Sequence, residues 1–343
     1  MPAFRAPGRV NLIGDHTDYN DGFVLPLAVD LECRVDAEER GDGVVRLTSS
    51  AFPEPVELPA GGTPEPASVE PRWGRLPAGV VAALARRGRP PVGIEAEVTS
   101  TVPVGGGLSS SAAFAVALAL ALCDAGGLEL EPVEVARACQ EAELLATGVP
   151  CGIMDQLSSL CGRRDAALLI DCRSLEVEPV PLPRELALVV ADSGVQRALA
   201  ETGYAERRAA CEAAAARLGL PALRDATPEQ VADDPRARHV VSETGRVLDF
   251  AEALRRGEVD PLGRLLLESH ASLRDDFEVS TPELDALVDA FVAAGALGAR
   301  LTGAGFGGSV IALVPAARLD AVLASVPAAR VVHAVDGAAR VAP

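Results

Sequence analysis

The sequence contains no lysine, because all 31 of its basic residues are arginine. A Walker A loop needs a lysine on the β- and γ-phosphates of its nucleotide, and protein kinases need a lysine on a strand. Enzymes that form a Schiff base through a side chain need one as well. If this chain handles a nucleoside triphosphate, it must therefore bind the phosphates by another device.

Positive charge and paired cysteines are also scarce. The formal net charge is −18, which argues against a nucleic-acid-binding surface because phosphate contacts need clustered cations. The seven cysteines form no C-x-x-C pair, so reduced thiols are expected rather than disulfides or a zinc site. His239, His270 and His333 lack a metal-ligand spacing, and we interpret them as structural or surface residues.

Long apolar runs are absent too. The longest, residues 112–123, is shorter than the roughly 20 residues that span a bilayer, and it predicts a buried helix. The N-terminus has no apolar signal core, so we predict a cytoplasmic protein that binds neither membrane nor nucleic acid. A chain of 343 residues, 49% of them hydrophobic, has room for a large core and two domains.

Strands and helices are predicted to mix without regular βαβ alternation, which indicates an α+β fold. Residues 51–71, rich in proline, glycine and glutamate, are predicted to be a loop. Strands are predicted at 93–102, 168–171 and 186–191, with a strand, a glycine turn and a second strand over 298–314. Helices are predicted from the serines near 109 to the glycines at 126–127, at 132–146, 206–218, 246–256 and 261–274, and after Thr281.

A glycine- and serine-rich segment, VGGGLSSSAAF, occupies residues 104–114. Three consecutive glycines let a backbone adopt positive φ and approach a ligand closely. The serines that follow begin the predicted helix, where free N–H groups attract phosphate and hydroxyls can bind Mg²⁺. The alternative is an ordinary glycine turn with serine caps.

A second glycine cluster is a false dinucleotide fingerprint. Gly303, Gly305 and Gly308 satisfy G-x-G-x-x-G, but a strand-like segment follows where that fingerprint requires a helix. We interpret the segment as a tight turn whose backbone flanks a phosphate or substrate. A plain hairpin turn is the alternative.

Two acidic residues are ambiguous by position alone. Asp155 lies among apolar neighbours in GVPCGIMDQLSS, where a carboxylate is either a helix N-cap or a group held for proton chemistry. Glu143, at the end of the preceding predicted helix, is either a solvated surface residue or a metal ligand.

Five segments together resemble the galactokinase family of GHMP small-molecule kinases, in the same order and over nearly the whole chain. They are GRVNLIGDHTDYNDG, VGGGLSSSAA, PCGIMDQ, SLRDDFEVSTPELD and LTGAGFGGS. The resemblance implies the two-domain α+β GHMP architecture with the active site between the domains. It implies a ribosomal protein S5 domain 2-like domain over residues 1–170 and a ferredoxin-like domain over 171–343.

The resemblance also implies residue roles. On the sugar side, Arg9 lies beside the reacting hydroxyl and Asp155 faces the anomeric hydroxyl. The remaining sugar-binding residues that it implies are Asp15, His16, Asp18, Gly152 and Tyr204. Asp155 would accept the proton of the attacking hydroxyl while Arg9 keeps it ionised, and a purely electrostatic role for Asp155 is the alternative.

On the nucleotide side, the resemblance implies that the glycine–serine loop wraps the phosphates of ATP. Its members are Gly105, Gly106, Gly107, Leu108, Ser109, Ser110 and Ser111. Ser110 and Glu143 are implied as the Mg²⁺ pair, and Trp73, the only tryptophan, is implied near adenine.

Four features depart from the family pattern. Asp15 stands where a glutamate is usual, so its contact with the sugar is expected to be longer or water-bridged. Only seven residues precede GRVN, the segment after Trp73 lacks the usual tyrosine and lysine, and Leu144 replaces a common histidine. None of these changes touches Arg9, Asp155 or the serines.

The implied activity is phosphorylation of D-galactose by MgATP to α-D-galactose 1-phosphate and ADP, by a protein expected to be monomeric. One alternative is a kinase for another sugar, such as N-acetylgalactosamine or galacturonic acid, which Asp15 leaves open. The other is a non-catalytic sugar sensor related to the kinases. Such relatives typically have a damaged glycine–serine loop, whereas the LSSSAA segment is intact here.

Overall fold

The computed structural model describes residues 1–63, 65–195 and 200–341. The strands are β1 (Ala3–Asn11), β2 (Phe23–Val24), β3 (Pro26–Arg40), β4 (Val44–Ser49), β5 (Phe52–Pro59), β6 (Gly93–Ser100), β7 (Ala166–Asp171), β8 (Val177–Pro181), β9 (Leu186–Asp192), β10 (Gly298–Thr302), β11 (Ser309–Pro315), β12 (Ala329–Val332) and β13 (Ala339–Val341). The helices are α1 (Arg75–Arg86), α2 (Ser110–Gly126), α3 (Pro132–Thr147), α4 (Met154–Cys161), α5 (Ala200–Leu218), α6 (Pro235–Arg256), α7 (Asp260–Asp275), α8 (Pro282–Ala294) and α9 (Leu319–Ser325).

A six-stranded sheet in the order β13-β1-β3-β6-β4-β5 organises the first half of the chain. β1 pairs antiparallel with β3, and the register shifts between Pro7 and Arg9. A β-bulge of this kind bends a strand and redirects its side chains, often beside a functional site. The shift therefore lies directly before Arg9, which stays paired with Ala28 of β3.

Helix α2 packs against this sheet and confirms the prediction of a buried helix. Its residues from Ala112 to Cys123 are almost entirely inaccessible, as expected for a helix that is apolar on every side. Gly127 ends it in the left-handed conformation, with φ 61°. The helix thus presents its N-terminus, with the preceding glycine–serine loop, at one end of the sheet.

A second, antiparallel sheet in the order β10-β11-β9-β12 carries its own hydrophobic core with α8 and α9. β10 and β11 pair as a hairpin around the glycine cluster, which confirms the strand–turn–strand prediction. A small third sheet joins β2, β7 and β8. The α+β class is confirmed, whereas the boundary at 170/171 stays a prediction; β13, near the C-terminus, pairs with β1.

The predicted loop at 51–71 is wrong in part, because β5 forms the edge of the first sheet. Prolines are tolerated there since an edge strand need not donate every N–H to a neighbour. The helix predicted from 246 begins earlier, at Pro235, where the Asp234 carboxylate accepts from the backbone N–H of Arg236 and Ala237 at 3.1 and 3.2 Å. Within the described part of the chain, no helix combines the length and apolar composition needed to cross a membrane.

Candidate active site

One cavity of about 150 Å³ collects the polar residues of the opening motif, of the segment around Asp155 and of α5. Eight residues predicted for the sugar and the metal line it: Arg9, Asp15, His16, Asp18, Glu143, Gly152, Asp155 and Tyr204. Three residues that were not predicted line it as well, Cys151, Met154 and Gln156, together with Gly303 and Ala304 of the glycine turn that was predicted to flank a phosphate or substrate. The tertiary fold thus joins segments that are far apart in sequence.

Arg9 and Asp155 form the centre of this cavity. The Nε and Nη2 atoms of Arg9 donate to the two carboxylate oxygens of Asp155, each at 2.7 Å. Asp155 lies in the first turn of α4 and Ile153 holds the N-cap position, so Asp155 does not cap the helix. The guanidinium fixes both oxygens of the carboxylate in direction, as bidentate pairs do.

The same pair reaches the glycine–serine loop. Nη1 of Arg9 donates to the carbonyl oxygen of Gly107 at 2.7 Å, and the Ser109 hydroxyl donates to Asp155. Burial alone would lower the pKa of Arg9, but the adjacent Asp155 carboxylate more than offsets this and the pKa is raised. Arg9 is therefore a permanent cation between the predicted sugar site and the predicted phosphate site.

The loop itself has the backbone conformation that its glycines predicted. Gly105 and Gly107 have φ of 78° and 79°, and Ser109 is left-handed at φ 60°. Leu108 is buried beneath the loop, while the Ser309 hydroxyl donates to the carbonyl oxygen of Gly106 at 2.6 Å. The loop leads directly into α2, whose first N–H groups have no intrahelical partner and favour phosphate.

Both carboxylate oxygens of Asp15 contact the β10–β11 hairpin. Its Oδ1 accepts from the Gly303 N–H at 2.9 Å, and its Oδ2 pairs with Arg300. Arg300 is completely buried, and its Nη1 also donates to the Leu12 carbonyl oxygen at 3.0 Å. Sequence reasoning missed this arginine, although an arginine within an apolar strand requires a buried partner.

His16 is neutral and also engaged within the protein. Its Nε2 lies 3.2 Å from the carbonyl oxygen of Ala304, which can only accept, so Nε2 carries the hydrogen. Nδ1 then accepts from the Tyr19 hydroxyl at 2.9 Å. Burial lowers the pKa of His16 to about 3. A sugar contact through this ring, which stays a prediction, would replace one of these two bonds.

The carboxylate of Asp18 lies directly against the Cα atom of Gly152. A Cβ atom on Gly152 would overlap Oδ2 and Cγ of Asp18 and lie 2.8 Å from Oδ1, so a larger residue fits only if the Asp18 carboxylate moves away. The Gly152 N–H donates to the Tyr204 hydroxyl at 3.3 Å. Burial, together with the charge of Asp155, raises the pKa of Asp18 to about 7.

Glu143 lies on the side of the cavity toward the serines. Its Oε2 accepts from the Cys151 thiol at 3.1 Å and from the Gln156 amide at 3.2 Å. Burial raises the pKa of Glu143, and hydrogen bonds from Cys151 and Ser111 oppose that effect. Ser111 therefore lies near Glu143, and the pairing of Glu143 with Ser110 at Mg²⁺ stays a prediction.

The cavity is not a preformed metal cage. Among residues 1–63, 65–195 and 200–341, no group of three or more histidine, cysteine, aspartate or glutamate side chains is arranged to hold a metal ion. Mg²⁺, however, commonly binds through one or two carboxylates while phosphates and water supply its other ligands. A half-buried glutamate near serine hydroxyls is a hard oxygen donor set that fits this mode of binding.

Trp73 lies outside this cavity. Its ring stacks on Phe52 with centroids 5.5 Å apart and planes 9° apart, and its Nε1 donates to the Glu54 carbonyl oxygen at 2.9 Å. Phe114, in the first turns of α2, lies 6.4 Å from it between centroids. Trp73 is therefore tied to β5 and approaches the helix that follows the glycine–serine loop.

Three family models match the chain. Residues 2–37 match the galactokinase galactose-binding signature, residues 75–163 the GHMP kinases N terminal domain, and residues 250–332 the GHMP kinases C terminal model. A galactokinase from Streptomyces coelicolor is 46% identical over 336 residues, which cover 94% of this chain and 86% of that protein.

Solved structures agree in fold. The structure of Lactococcus lactis galactokinase complexed with galactose matches with a TM-score of 0.93 and 33% identity, covering 99% of this chain and 95% of that one. The L. major mevalonate kinase structure in complex with R-mevalonate has a TM-score of 0.69 and 21% identity, covering 98% and 96%. The second likeness concerns the fold alone.

Proposed function

Because this chain belongs to the galactokinase family of GHMP kinases, it is a sugar kinase, and we propose that it transfers the γ-phosphate of ATP to the anomeric hydroxyl of D-galactose. The products are α-D-galactose 1-phosphate and ADP. One observation carries the proposal at residue level: Asp155 faces the sugar cavity while Arg9 and Ser109 connect it to the glycine–serine loop.

Sugar recognition is assigned to the carboxylates and the tyrosine of the cavity. Asp18 and Tyr204 lie on either side of Gly152 and supply an acceptor and a hydroxyl. Each oxygen of Asp15 already accepts one bond, but a carboxylate has about four lone-pair sites and can accept from a sugar hydroxyl too. An inverted hydroxyl would leave such an acceptor unpaired, which penalises the wrong epimer.

The phosphoryl transfer needs one proton acceptor. As the anomeric oxygen bonds to the γ-phosphorus, its proton passes to Asp155, and the bond from the γ-phosphorus to the bridging oxygen breaks to release ADP. Arg9 orients the Asp155 carboxylate and supplies fixed positive charge beside the transferred group. A purely electrostatic role for Asp155 remains the alternative.

Phosphate binding without lysine is assigned to the loop of residues 105–111 and the N-terminus of α2. Glu143, with Ser110 or Ser111, would hold Mg²⁺ together with the phosphates of ATP. When bound, the ion neutralises phosphate charge and orients the nucleotide. Trp73 is proposed to pack near adenine, since it lies beside Phe114 in the first turns of α2.

A monomer in the cytoplasm is proposed as the working form. All seven cysteines are unpaired, and five of them are buried, which suits a reducing compartment. The oligomeric state is testable by light scattering on the purified protein.

The activity is tested by following ADP release with galactose, N-acetylgalactosamine, galacturonic acid and glucose in parallel. The largest kcat/KM is expected with galactose, and a preference for another sugar would overturn the substrate assignment. Binding of galactose without ADP release would favour the sensor.

The role of Asp155 is tested by Asp155→Asn, which keeps the shape of the side chain but cannot accept the proton. We expect kcat to fall by about 10³-fold or more while galactose still protects the protein against heat. Near-normal turnover in this variant would remove Asp155 from the mechanism.

A further inference from the structure

Two ionisable side chains on α6 are buried away from the cavity. His239 and Glu243 are both completely inaccessible, and they lie one helical turn apart on the same face as Val247. Such residues are rarely buried without specific partners. Neither belongs to the residues that line the cavity, and no step of the proposed reaction uses them.

Their partners are backbone groups of the turn that follows β1. The Glu243 carboxylate accepts from the N–H of Gly14 at 2.9 Å. The Nε2 atom of His239 lies 3.1 Å from the carbonyl oxygen of Asp15, which can only accept, so His239 donates this bond. α6 therefore holds two adjacent residues of the turn, one through its N–H and the other through its C=O.

Both side chains are themselves held in place. The Ser269 hydroxyl donates to Glu243 at 2.5 Å and Nε of Arg246 donates to it at 2.7 Å. The Ser272 hydroxyl lies 2.9 Å from Nδ1 of His239, which the tautomer leaves as an acceptor. The contacts to the turn are thus made by groups that cannot easily reorient.

The turn has a conformation that needs such support. Gly14 has φ 104° and His16 has φ 68°, which is uncommon for a residue with a side chain. Backbone strain of this kind persists only where the surroundings enforce it. A Cβ on Gly14 would lie 2.8 Å from Cγ2 of Val247, so α6 packs directly against the turn.

We propose that His239 and Glu243 are positioning residues for sugar binding, which set the backbone of Gly14 and Asp15 and thereby the directions of Asp15, His16 and Asp18. This inference rests on the proposed function, in which Asp15 and Asp18 bind the sugar, and on the prediction that His16 does so as well. His239 and Glu243 act through the backbone and touch no substrate.

The test compares two replacements of His239. His239→Leu removes the donor, whereas the amide nitrogen of His239→Gln can reach the position of Nε2 and restore it. We expect His239→Leu to raise the KM for galactose about tenfold or more, with the KM for ATP within twofold of wild type. His239→Gln should recover most of the loss. Glu243→Gln keeps one acceptor oxygen and should show a smaller effect in the same direction.

Val240→Ala is the matched control, because Val240 is completely buried on the same helix but belongs to the core of the second sheet. It should lower Tm and leave both KM values unchanged. If His239→Leu behaves like Val240→Ala, the role of His239 is merely structural and the proposal is overturned.

Hydrogen exchange without any substrate gives a second, independent readout. Amides of residues 12–20 should exchange about tenfold faster in His239→Leu and at the wild-type rate in His239→Gln and Val240→Ala. Unchanged exchange in His239→Leu would overturn the proposal. Should the wild type fail to phosphorylate galactose, the proposed function fails while this measurement still decides whether α6 holds the turn.

Discussion

Replacing Gly152 by alanine is expected to expel the carboxylate of Asp18 from the sugar cavity. The new Cβ would occupy the positions of Oδ2 and Cγ, and even Oδ1 would lie only 2.8 Å away. Ordinary contacts between non-bonded atoms begin at about 3.5 Å, so Oδ1 must retreat by about 0.7 Å and Oδ2, which would lie 1.6 Å from the new Cβ, by about 1.9 Å. Gly152 has no positive φ, so the backbone itself tolerates alanine.

The size of the effect follows from what Asp18 contributes. A hydrogen bond to a charged group is worth about 1.5–3 kcal/mol, and a displacement of about 1 Å at a reacting centre can cost about 100-fold in rate. We therefore expect Gly152→Ala to lower kcat/KM for galactose by about 100-fold. The KM for ATP should change little, because the clash lies on the sugar side of Asp155.

The assay is steady-state ADP release in a double-mutant cycle with Asp18→Ala. If the loss acts through the Asp18 carboxylate, Gly152→Ala should change kcat/KM by less than about threefold once that carboxylate is removed. Gly245→Ala is the control, since Gly245 is exposed on α6 with open space around it, and it should add about 0.5–1 kcal/mol of stability without altering activity. The same 100-fold loss in both backgrounds, or none in the wild-type background, would refute the reasoning.

Three further outcomes are expected. Lowering the pH from 8 to 6 should raise the KM for galactose, because burial and Asp155 raise the pKa of Asp18 to about 7 and its carboxylate becomes mostly neutral. The Asp18→Asn variant should lose this pH dependence. A KM that does not change with pH in the wild type would contradict the prediction. Because the pKa of Asp18 is raised on folding, its ionised form destabilises the folded state above pH 7, whereas below about pH 4 the carboxyl is neutral in both states and has no such effect. The free energy of urea unfolding of Asp18→Asn should therefore exceed that of the wild type at pH 8 and equal it at pH 4. Arg300→Leu should reduce the free energy of unfolding by about 3–5 kcal/mol, because Asp15 would stay buried without its cation. The double variant with Asp15→Asn should recover part of this loss. An unchanged urea midpoint in Arg300→Leu would show that the pair is dispensable.

The residues of the site could be predicted from the sequence, but their hydrogen-bond partners within the protein could not. Eight of the nine predicted sugar and metal residues line one cavity, and the ninth, Ser110, is not among its lining residues. The sequence could not show that the Asp15 carboxylate already accepts from Gly303, or that both ring nitrogens of His16 are bonded within the protein. Nor could it show that Ser111 lies near Glu143, because each residue step rotates the side chain by about 100° around the helix.

The sequence by itself determined the features that depend on neighbours in the chain. The apolar run of α2, its glycine end and the threonine cap of α8 follow from local periodicity and capping, and all three are present. Only the tertiary structure decided which polar groups pair. The bulge before Arg9 aims that residue at Asp155, which lies 146 positions away, and α6 places His239 beside the Asp15 carbonyl oxygen 224 positions away. Local sequence patterns predict which residues are buried or cap a helix. A buried donor, however, bonds to whichever acceptor the packing of the whole chain places next to it, so only the tertiary structure determines the partner.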